Sequence, residues 1–242
     1  MSPQVASPEE WLAARKELRA QEGELLKLRD AVNAARLTMP MVPVEKEYVF
    51  DSHKGKVTLL DMFEGRSQLI VQHFMFDPAW PEGCRHCSLL TDGIGSTAHL
   101  HALGTTIALV SRAPLDKIVP FRTRMGWDLP WYSSYGSDFN YDYHATLDET
   151  VAPVMYDYQD KETLAAHGEW FTEGETGGMS VFLREGDRAF HTYSCYGDGI
   201  DVFHNTFNFL DLTPSGRPTE KARPWLRHHD KYEELLTIGR PS

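Results

Sequence analysis

The sequence predicts an α/β domain with a central mixed sheet flanked by helices and a helical extension at its N-terminus. Apolar strand patterns alternate with helical patterns along the middle of the chain, and a hairpin with one more helix follows them. The 242 residues, 41% of them hydrophobic, suffice for one elaborated domain with a sizeable core. We divide the chain into a helical arm and linker (1–40), the α/β domain (41–214) and a polar tail (215–242).

The arm has the pattern of a long amphipathic helix. Ser7 and Glu10 form a capping-box sequence, and Pro8 suits the first helical turn. Apolar residues recur at every seventh position: Trp11, Leu18, Leu25 and Val32. Fewer than four heptads are a thin coiled-coil signal, so we expect this stripe to pack on its own domain. The alternative is an arm that forms a homodimer.

The first half of the domain predicts a hairpin followed by two strand–helix units. A short hairpin is expected at 47–62, and an almost uninterrupted apolar run at 69–76 is typical of a strand buried on both faces. A loop containing proline and glycine leads into a helix at 84–103. The second unit combines a buried strand at 105–111 with a helix at 114–125.

The second half adds a short strand at 129–134, an aromatic region with little periodicity, a hairpin at 179–196 and a helix at 199–210. Parallel strand–helix–strand units joined to an antiparallel hairpin and a last helix are typical of the thioredoxin-like fold. A doubly wound nucleotide-binding fold is disfavoured, because no glycine-rich phosphate loop follows the first buried strand.

The candidate chemistry follows that first buried strand, at Cys84 and Cys87. Two cysteines separated by two residues at a helix start can close a small disulfide ring, and the helix N-terminus favours a thiolate on the first. Arg85 and His86 can carry positive charge and favour the thiolate further. Because a stabilised thiolate makes the pair more oxidising, we predict redox chemistry with Cys84 attacking and Cys87 resolving.

Metal binding and a structural role are the alternatives for the pair. Two thiolates fall short of a four-ligand zinc site, so a histidine would have to complete it. His191 is the first candidate, since thiolate with imidazole suits copper or zinc. Without such a ligand no cofactor is implied. In the structural interpretation, Cys84 and Cys87 are two inert core residues.

Four further residues are candidates for shaping a site. Arg112 and Arg124 can hold an anionic substrate or steady a thiolate, and the alternative is an ordinary salt-bridged arginine. Trp127 and Trp131 belong to an unusually aromatic stretch at 127–143. This stretch predicts either an aromatic-lined pocket for a small molecule or a large packed core.

Charge and hydropathy exclude two partner classes. A net charge of −11 argues against general binding to nucleic-acid phosphates, which needs a basic face. The sequence contains no apolar run long enough for a membrane span, and residues 1–10 lack the apolar core of a signal peptide. We therefore expect a cytoplasmic protein, in a compartment where thiols stay reduced, whose partner is a small-molecule substrate or a thiol donor.

Specific short runs extend along the chain from about Tyr48 to Leu212. They are His73-Phe74-Met75-Phe76, Cys84-x-x-Cys87-Ser88, Val110-Ser111-Arg112-Ala113-Pro114, Arg124-Met125-Gly126-Trp127, Pro130-Trp131-Tyr132-Ser133-Ser134, Asp138-Phe139-Asn140-Tyr141-Asp142, Ser180-Val181-Phe182 and His191-Thr192-Tyr193-Ser194. In combination they resemble an uncharacterised bacterial family, a domain of unknown function in the thioredoxin-like superfamily near the peroxiredoxins. The resemblance implies the fold and no established activity.

The chain departs from the better-known groups of that superfamily. Counted back from Cys84, Asp77 and Pro81 stand where a peroxiredoxin carries proline and threonine or serine. The stretch before the hairpin strand, Gly177-Gly178-Met179-Ser180, lacks the proline of thioredoxins. We therefore predict a thiol-dependent oxidoreductase acting on a small molecule or a peroxide. A noncatalytic binding or dimerisation module that uses the helix at 8–36 is the other possibility.

Overall fold

The computed structural model of the chain describes residues 4–168, 172–219 and 223–232. The α-helices are α1 Pro8–Arg36, α2 Arg85–Asp92, α3 Ala98–Ala102, α4 Leu115–Arg124, α5 Phe139–Asp142, α6 Lys161–Ala166 and α7 Asn205–Leu210. The strands are β1 Val42–Pro43, β2 Val49–Ser52, β3 Gly55–Thr58, β4 Gln68–His73, β5 Thr105–Ser111, β6 Trp131–Ser133, β7 Thr146–Leu147, β8 Met155–Tyr156, β9 Gln159–Asp160, β10 Gly174–Glu175, β11 Gly178–Glu185 and β12 Arg188–Tyr196. Short 3-10 helices cover Asp61–Phe63, Gly197–Phe203 and His229–Lys231.

An eight-stranded mixed sheet organises the domain, in the order β1-β12-β11-β4-β5-β6-β2-β3. Strands β4, β5 and β6 run parallel, β11 is antiparallel to β4, and β12 is antiparallel to β11. A parallel strand–helix–strand unit whose first strand pairs with an antiparallel hairpin is the thioredoxin-like topology. The predicted fold class, with a mixed sheet, flanking helices and an N-terminal helical extension, is confirmed.

The core lies on both faces of the two central parallel strands. All seven residues of β5 are buried, as the apolar run predicts. Because side chains alternate along a strand, Ala108 and Val110 join a cluster with Phe182 on one face. Leu109 joins a cluster with Trp131 on the other face. The second cluster also contains the two cysteines of the candidate site, so one face of the sheet supports the chemistry.

Two predicted helices are each divided in the structure. The segment 84–103 forms α2 and α3 with a break between them, so the prediction of one continuous helix is wrong. The break contains Gly93 and Gly95, and glycine is a poor helix former because folding costs it the most backbone entropy. The last helix is likewise shorter than predicted, since a 3-10 helix at Gly197–Phe203 precedes α7.

The arm helix α1 begins as predicted and packs differently. Ser7 Oγ accepts a hydrogen bond from the Glu10 N–H, and the Glu10 carboxylate accepts one from the Ser7 N–H. However, α1, which is described over its full length, buries none of its residues. The predicted packing of its apolar stripe on the chain's own domain is therefore wrong. Trp11 is 62% exposed and Leu25 is 67% exposed.

Part of the polar tail lies against the domain. Leu226 is 1% exposed, and His228 and Lys231 bond to the segment that precedes Cys84. Of the predicted tail, residues 220–222 and 233–242 lie outside the described residues. No helix in the described part of the chain is both long and apolar enough to cross a membrane.

The start of β11 allows no side chain at Gly178. A Cβ there would lie 2.5 Å from the Tyr196 ring and 3.0 Å from the Cys195 carbonyl oxygen. We expect Gly178→Ala to lower the free energy of unfolding by about 1–3 kcal/mol, the usual cost of overpacking. Urea denaturation followed by circular dichroism measures this. Gly95→Ala, whose Cβ would meet nothing within 4 Å, is the control, and equal losses in both variants would contradict the predicted packing.

Candidate functional site

The fold places Cys84 at the junction between the first central strand and α2. The chain leaves β4, and the Cys84 N–H returns to the Met75 carbonyl oxygen over 2.9 Å. Cys84 is the N-cap residue, with extended backbone angles, and its carbonyl accepts the N–H of Ser88. Cys84 therefore lies where the first N–H groups of the helix have no helical acceptor and favour a negative charge.

The two thiols lie in different surroundings. Cys84 is half-buried, whereas Cys87 is 7% exposed and its Sγ accepts the Met75 N–H over 3.4 Å. The hydrogen bond from the Cys87 thiol lowers the pKa of Cys84 well below its ordinary value, despite the opposing effect of burial. His86 and the backbone N–H of Cys87 lower that pKa further.

Cys87 shows the opposite shift. Its hydrogen bond to Cys84 and its own burial raise the pKa of the Cys87 thiol well above the ordinary value. None of the three cysteines forms a disulfide in the structure, and burial also raises the pKa of Cys195. These opposite directions favour a Cys84 thiolate beside a Cys87 thiol over the reverse arrangement.

The two residues between the cysteines differ in position. Arg85 is exposed, while His86 is half-buried and lines the cavity described below. His86 also favours the Cys84 thiolate through a hydrogen bond and its charge. Of these two predicted supporting residues, His86 is therefore the one that faces both the cavity and the thiolate.

The two predicted arginines are bound to other side chains. Arg112 donates hydrogen bonds to Glu175, Tyr141 and Asp77 over 2.6–2.7 Å. Burial raises the pKa of Glu175, although Arg112 opposes that shift. Arg112 thus fixes the start of the loop before Cys84, and its guanidinium is engaged by the protein rather than held open for a substrate.

Arg124 joins the tail to the other end of that loop. Its guanidinium pairs with Glu82 and Asp230. His228 lies 2.9 Å from the Gly83 carbonyl oxygen through Nε2, and the Lys231 ammonium donates to Glu82 over 2.8 Å. The sequence did not predict these contacts between the tail and the loop, because charged residues in a polar tail do not indicate which surface they bind.

Trp127 and Trp131 belong to a packed aromatic cluster. The Trp131 and Phe74 rings lie 4.5 Å apart, and Trp131 is 2% exposed. The indole N–H groups donate to Asp92 and Ser111, respectively. The cluster includes Cys87 and packs against Cys84, so Trp131 lies in the core, the half-buried Trp127 packs against it, and neither lines the cavity described below.

The cavity lies on another side of the pair. It has a volume of about 380 Å³, and Cys87 borders it. Its polar lining includes Gln72, His73, His86, His204 and Arg223 together with three carboxylates, Asp157, Asp198 and Asp201. Within the described residues, Nδ1 of His73 and Nδ1 of His204 are buried and have no hydrogen-bond partner. Both nitrogens are shielded by the surrounding protein, so the polar contacts available to a bound molecule come from the other residues of the lining.

The glycines before β11 form part of this cavity wall. A Cβ on Gly177 would lie 3.8 Å from the Cys87 sulfur and from the Met75 side chain. In the sequence, the stretch from Gly177 to Ser180 stood out only because it lacks a proline. Nothing in the sequence indicated that His204 and Arg223 would line the same cavity. Those residues come together through the packing of distant segments, which no local pattern encodes.

The structure does not bring the proposed metal ligands together. His191 lies in β12, where its ring is 5.3 Å from Tyr143 and 5.6 Å from Phe182, and it lines a second pocket of about 190 Å³. Across the described ranges, no three or more His, Cys, Asp or Glu side chains are grouped to hold a metal. The described residues therefore do not support the alternative in which Cys84, Cys87 and His191 together bind copper or zinc.

Comparisons with known proteins give one family and several structural likenesses. The profile of a bacterial protein family of unknown function, DUF899, matches residues 1–232. No curated protein matches the chain. A bacterioferritin comigratory protein from Xanthomonas campestris, described for alkyl peroxide reduction, has 13% identity and a TM-score of 0.39, over 65% of this chain and 88% of its own.

Two other solved structures are similar at the same level. A peroxiredoxin Q variant from Xylella fastidiosa has 11% identity and a TM-score of 0.41, over 67% of this chain and 89% of its own. A putative thiol:disulfide interchange protein, DsbE, from Chlorobium tepidum has 11% identity and a TM-score of 0.36, over 71% of this chain and 98% of its own.

The hydrogen bond between the two sulfurs predicts the pH dependence of thiol alkylation. Only the thiolate reacts, so alkylation of Cys84 by iodoacetamide should rise with pH to a plateau whose midpoint lies well below that of an ordinary cysteine, about pH 8.5. Cys87→Ala removes the donor of the hydrogen bond and should move the midpoint upward. Mass spectrometry of the Cys84 peptide measures both. Cys195→Ala is the matched control. An alkylation midpoint of Cys84 that is the same in wild type and in Cys87→Ala would contradict the hydrogen bond between the two sulfurs.

Proposed function

We propose that this chain, which belongs to the DUF899 family of bacterial proteins of unknown function, is a dithiol–disulfide oxidoreductase that reduces a small molecule. The observation that carries the proposal is the opposite shift of the two thiol pKa values at the N-terminus of α2, beside a cavity. The lowered pKa favours Cys84 as the attacking thiolate, and the raised pKa favours Cys87 as a thiol that keeps its proton until the second step. We assign Cys84 and Cys87 these two catalytic roles.

The chemistry needs a substrate with one weak bond, written X–Y. The Cys84 thiolate attacks X, a sulfur–X bond forms, the X–Y bond breaks, and Y leaves with the electron pair. The Cys87 thiol then loses its proton and attacks the Cys84 sulfur, which forms the disulfide and releases X. The sum is Cys84 thiolate, Cys87 thiol, X–Y and one proton giving the disulfide, XH and YH. The dithiol is oxidised by two electrons and the substrate is reduced.

The surroundings of the pair favour a small substrate over a protein. Cys87 is buried, and a cavity of about 380 Å³ is within the range of small-molecule sites. Its polar lining can form hydrogen bonds with a compact oxygen- or sulfur-containing molecule. Peroxides and small disulfides both have the weak bond that the mechanism needs, so we propose this substrate class.

The supporting residues keep the pair in place. His86 favours the thiolate, Arg112 and Arg124 hold the two ends of the loop before Cys84, and Trp127 and Trp131 pack behind the sulfurs. A thiol donor must return the disulfide to the dithiol after each turnover. We therefore propose a reducing compartment, the cytoplasm, as the place of action.

We also propose that the partner of α1 is a second copy of the chain. The stripe of Trp11, Leu18, Leu25 and Val32 is exposed along the whole helix. Glu24 and Arg29 flank it at the five-residue spacing that pairs opposite charges across a parallel two-stranded coiled coil. None of the 29 residues of α1 is buried, and Arg36 at its C-terminal end bonds to Tyr193 of the domain, so the apolar face is available for such a partner.

The function predicts the products formed by cysteine variants. Reduced protein mixed with hydrogen peroxide or hydroxyethyl disulfide should form a Cys84–Cys87 disulfide, detected by mass spectrometry. Cys84→Ser should abolish turnover with a thiol donor, because the nucleophile is gone. Cys87→Ser should still consume one equivalent of oxidant and stop at a modified Cys84. Cys195→Ser serves as the control, and undiminished turnover of Cys84→Ser would contradict the proposal.

The dimer predicts a specific effect of a charge in the stripe. Leu25→Glu should convert a dimer to a monomer in analytical ultracentrifugation, because it places two carboxylates in the apolar seam. Leu26→Glu changes a neighbouring exposed leucine outside the seam and should leave the mass unchanged. A wild-type monomer, or equal behaviour of the two variants, would contradict the assignment.

A further inference from the structure

The peptide unit directly before the candidate nucleophile is held at both of its polar atoms. The Cys84 N–H donates to the Met75 carbonyl oxygen over 2.9 Å, and the Gly83 carbonyl oxygen lies 2.9 Å from Nε2 of His228. Because the two atoms belong to one planar unit, bonds on both sides of it fix its orientation. A rotation of this unit would displace Cys84 from its place at the start of α2.

The partners of His228 determine which atom donates. A carbonyl oxygen only accepts, so Nε2 carries a hydrogen and donates it to Gly83. A guanidinium only donates, so Nδ1, which lies 3.2 Å from a nitrogen of Arg124, accepts. Protonation of Nδ1 towards Glu82, whose oxygen is 3.4 Å away, would leave the Nε2 hydrogen in place. The donor to Gly83 is therefore kept in both protonation states of the ring.

The contact between His228 and Gly83 lies in the interior. His228 is 6% exposed, and its ring centroid is 5.2 Å from that of Phe121. Gly83 is also buried, and a Cβ there would lie 2.6 Å from the Phe74 ring and 2.9 Å from the Phe121 ring. Because water has little access to this site, removal of the imidazole would deprive a buried carbonyl oxygen of its donor.

The tail segment 223–232 is anchored on both sides of this bond. Lys231 donates to Glu82 in the loop before α2. Nδ1 of His229 lies 2.7 Å from a carboxylate oxygen of Asp92, the last residue of α2. The segment therefore spans the helix that carries the two cysteines from its start to its end. The histidine that contacts the loop is held between these anchors.

We propose that His228 is a positioning residue for the Cys84 thiolate and acts through the peptide unit between Gly83 and Cys84. This role rests on the proposed function, in which Cys84 is the attacking sulfur. The imidazole N–H fixes the carbonyl side of the unit and polarises it, which strengthens the bond from its N–H side to Met75. Cys84 is thereby held against the donors at the start of α2. The candidate site is complete only when the tail is docked.

The first test measures the Cys84 thiolate without an oxidant. The pH midpoint of Cys84 alkylation by iodoacetamide is determined by mass spectrometry in wild type, His228→Leu and His228→Gln. His228→Leu removes the donor and should raise the midpoint by about half a pH unit or more, as expected for the loss of one hydrogen bond. His228→Gln should restore a midpoint close to that of wild type, because its amide nitrogen can occupy the position of Nε2.

His229→Leu is the matched control. It removes the neighbouring ring of the same tail segment, while Asp92 keeps its hydrogen bond from Trp127. The Cys84 midpoint should stay at the wild-type value in this variant. Equal midpoints in wild type and His228→Leu, or equal shifts in His228→Leu and His229→Leu, would overturn the positioning role.

The second test reads the donor in the wild-type protein. Nitrogen-15 NMR of the histidine rings should show a hydrogen on Nε2 of His228. A ring that carries its only hydrogen on Nδ1 would overturn the assignment. This measurement decides the matter even if His228→Leu does not fold.

The third test separates positioning from a general loss of structure. Hydroxyethyl disulfide oxidises the reduced protein in single turnover, and the rate of Cys84–Cys87 disulfide formation is followed against pH. Below both alkylation midpoints, His228→Leu should react more slowly than wild type. Above both midpoints it should react at least as fast, because Cys84 is then fully ionised in both proteins. A variant that stays slower there would contradict an effect exerted through the thiolate.

The outcomes for the proposed function are distinct. A wild-type protein that forms no Cys84–Cys87 disulfide would overturn the proposed oxidoreductase. The alkylation midpoints and the ring hydrogen of His228 would still report whether the tail positions Cys84.

Discussion

The hydrogen bond between the Cys84 and Cys87 sulfurs is the interaction on which the rest of the site depends. A thiolate needs donors, and Cys84 obtains them from the Cys87 thiol, from the first turn of α2 and from His86. This arrangement exists only where a helix starts directly after a buried strand and its loop. The parallel pair β4 and β5 sets that position, because it fixes the carboxyl end of β4 in the centre of the sheet.

The surrounding contacts keep this junction rigid. Arg112 binds Asp77 at one end of the loop, and Arg124 binds Glu82 at the other. The aromatic cluster fills the space behind the sulfurs, and the tail segment that contains Leu226 is packed into the domain. The two arginines therefore support the site by binding carboxylates at the two ends of the loop, and neither of them lines the cavity.

The sequence predicted those features that depend on residues close together in the chain. The apolar run of β4, the capping box of α1 and the Cys-x-x-Cys sequence each depend on neighbouring residues, and the fold class follows from their order. The exposed stripe of α1 depends on packing that the sequence does not show, whereas the break at Gly93 follows from the poor helix propensity of glycine. The contact between the Ser180 and Ser194 hydroxyls depends on strand register, since these residues meet only when β11 and β12 pair.

The reduction potential of the pair tests the central claim most directly. The protein is equilibrated in glutathione buffers of known potential, and the Cys84 and Cys87 peptides are quantified by mass spectrometry. Because the thiolate is stabilised in the reduced form, we predict a Cys84–Cys87 disulfide with a potential above the value of about −270 mV known for thioredoxin. A pair that forms no disulfide at any potential, or one with a potential below that value, would contradict the account.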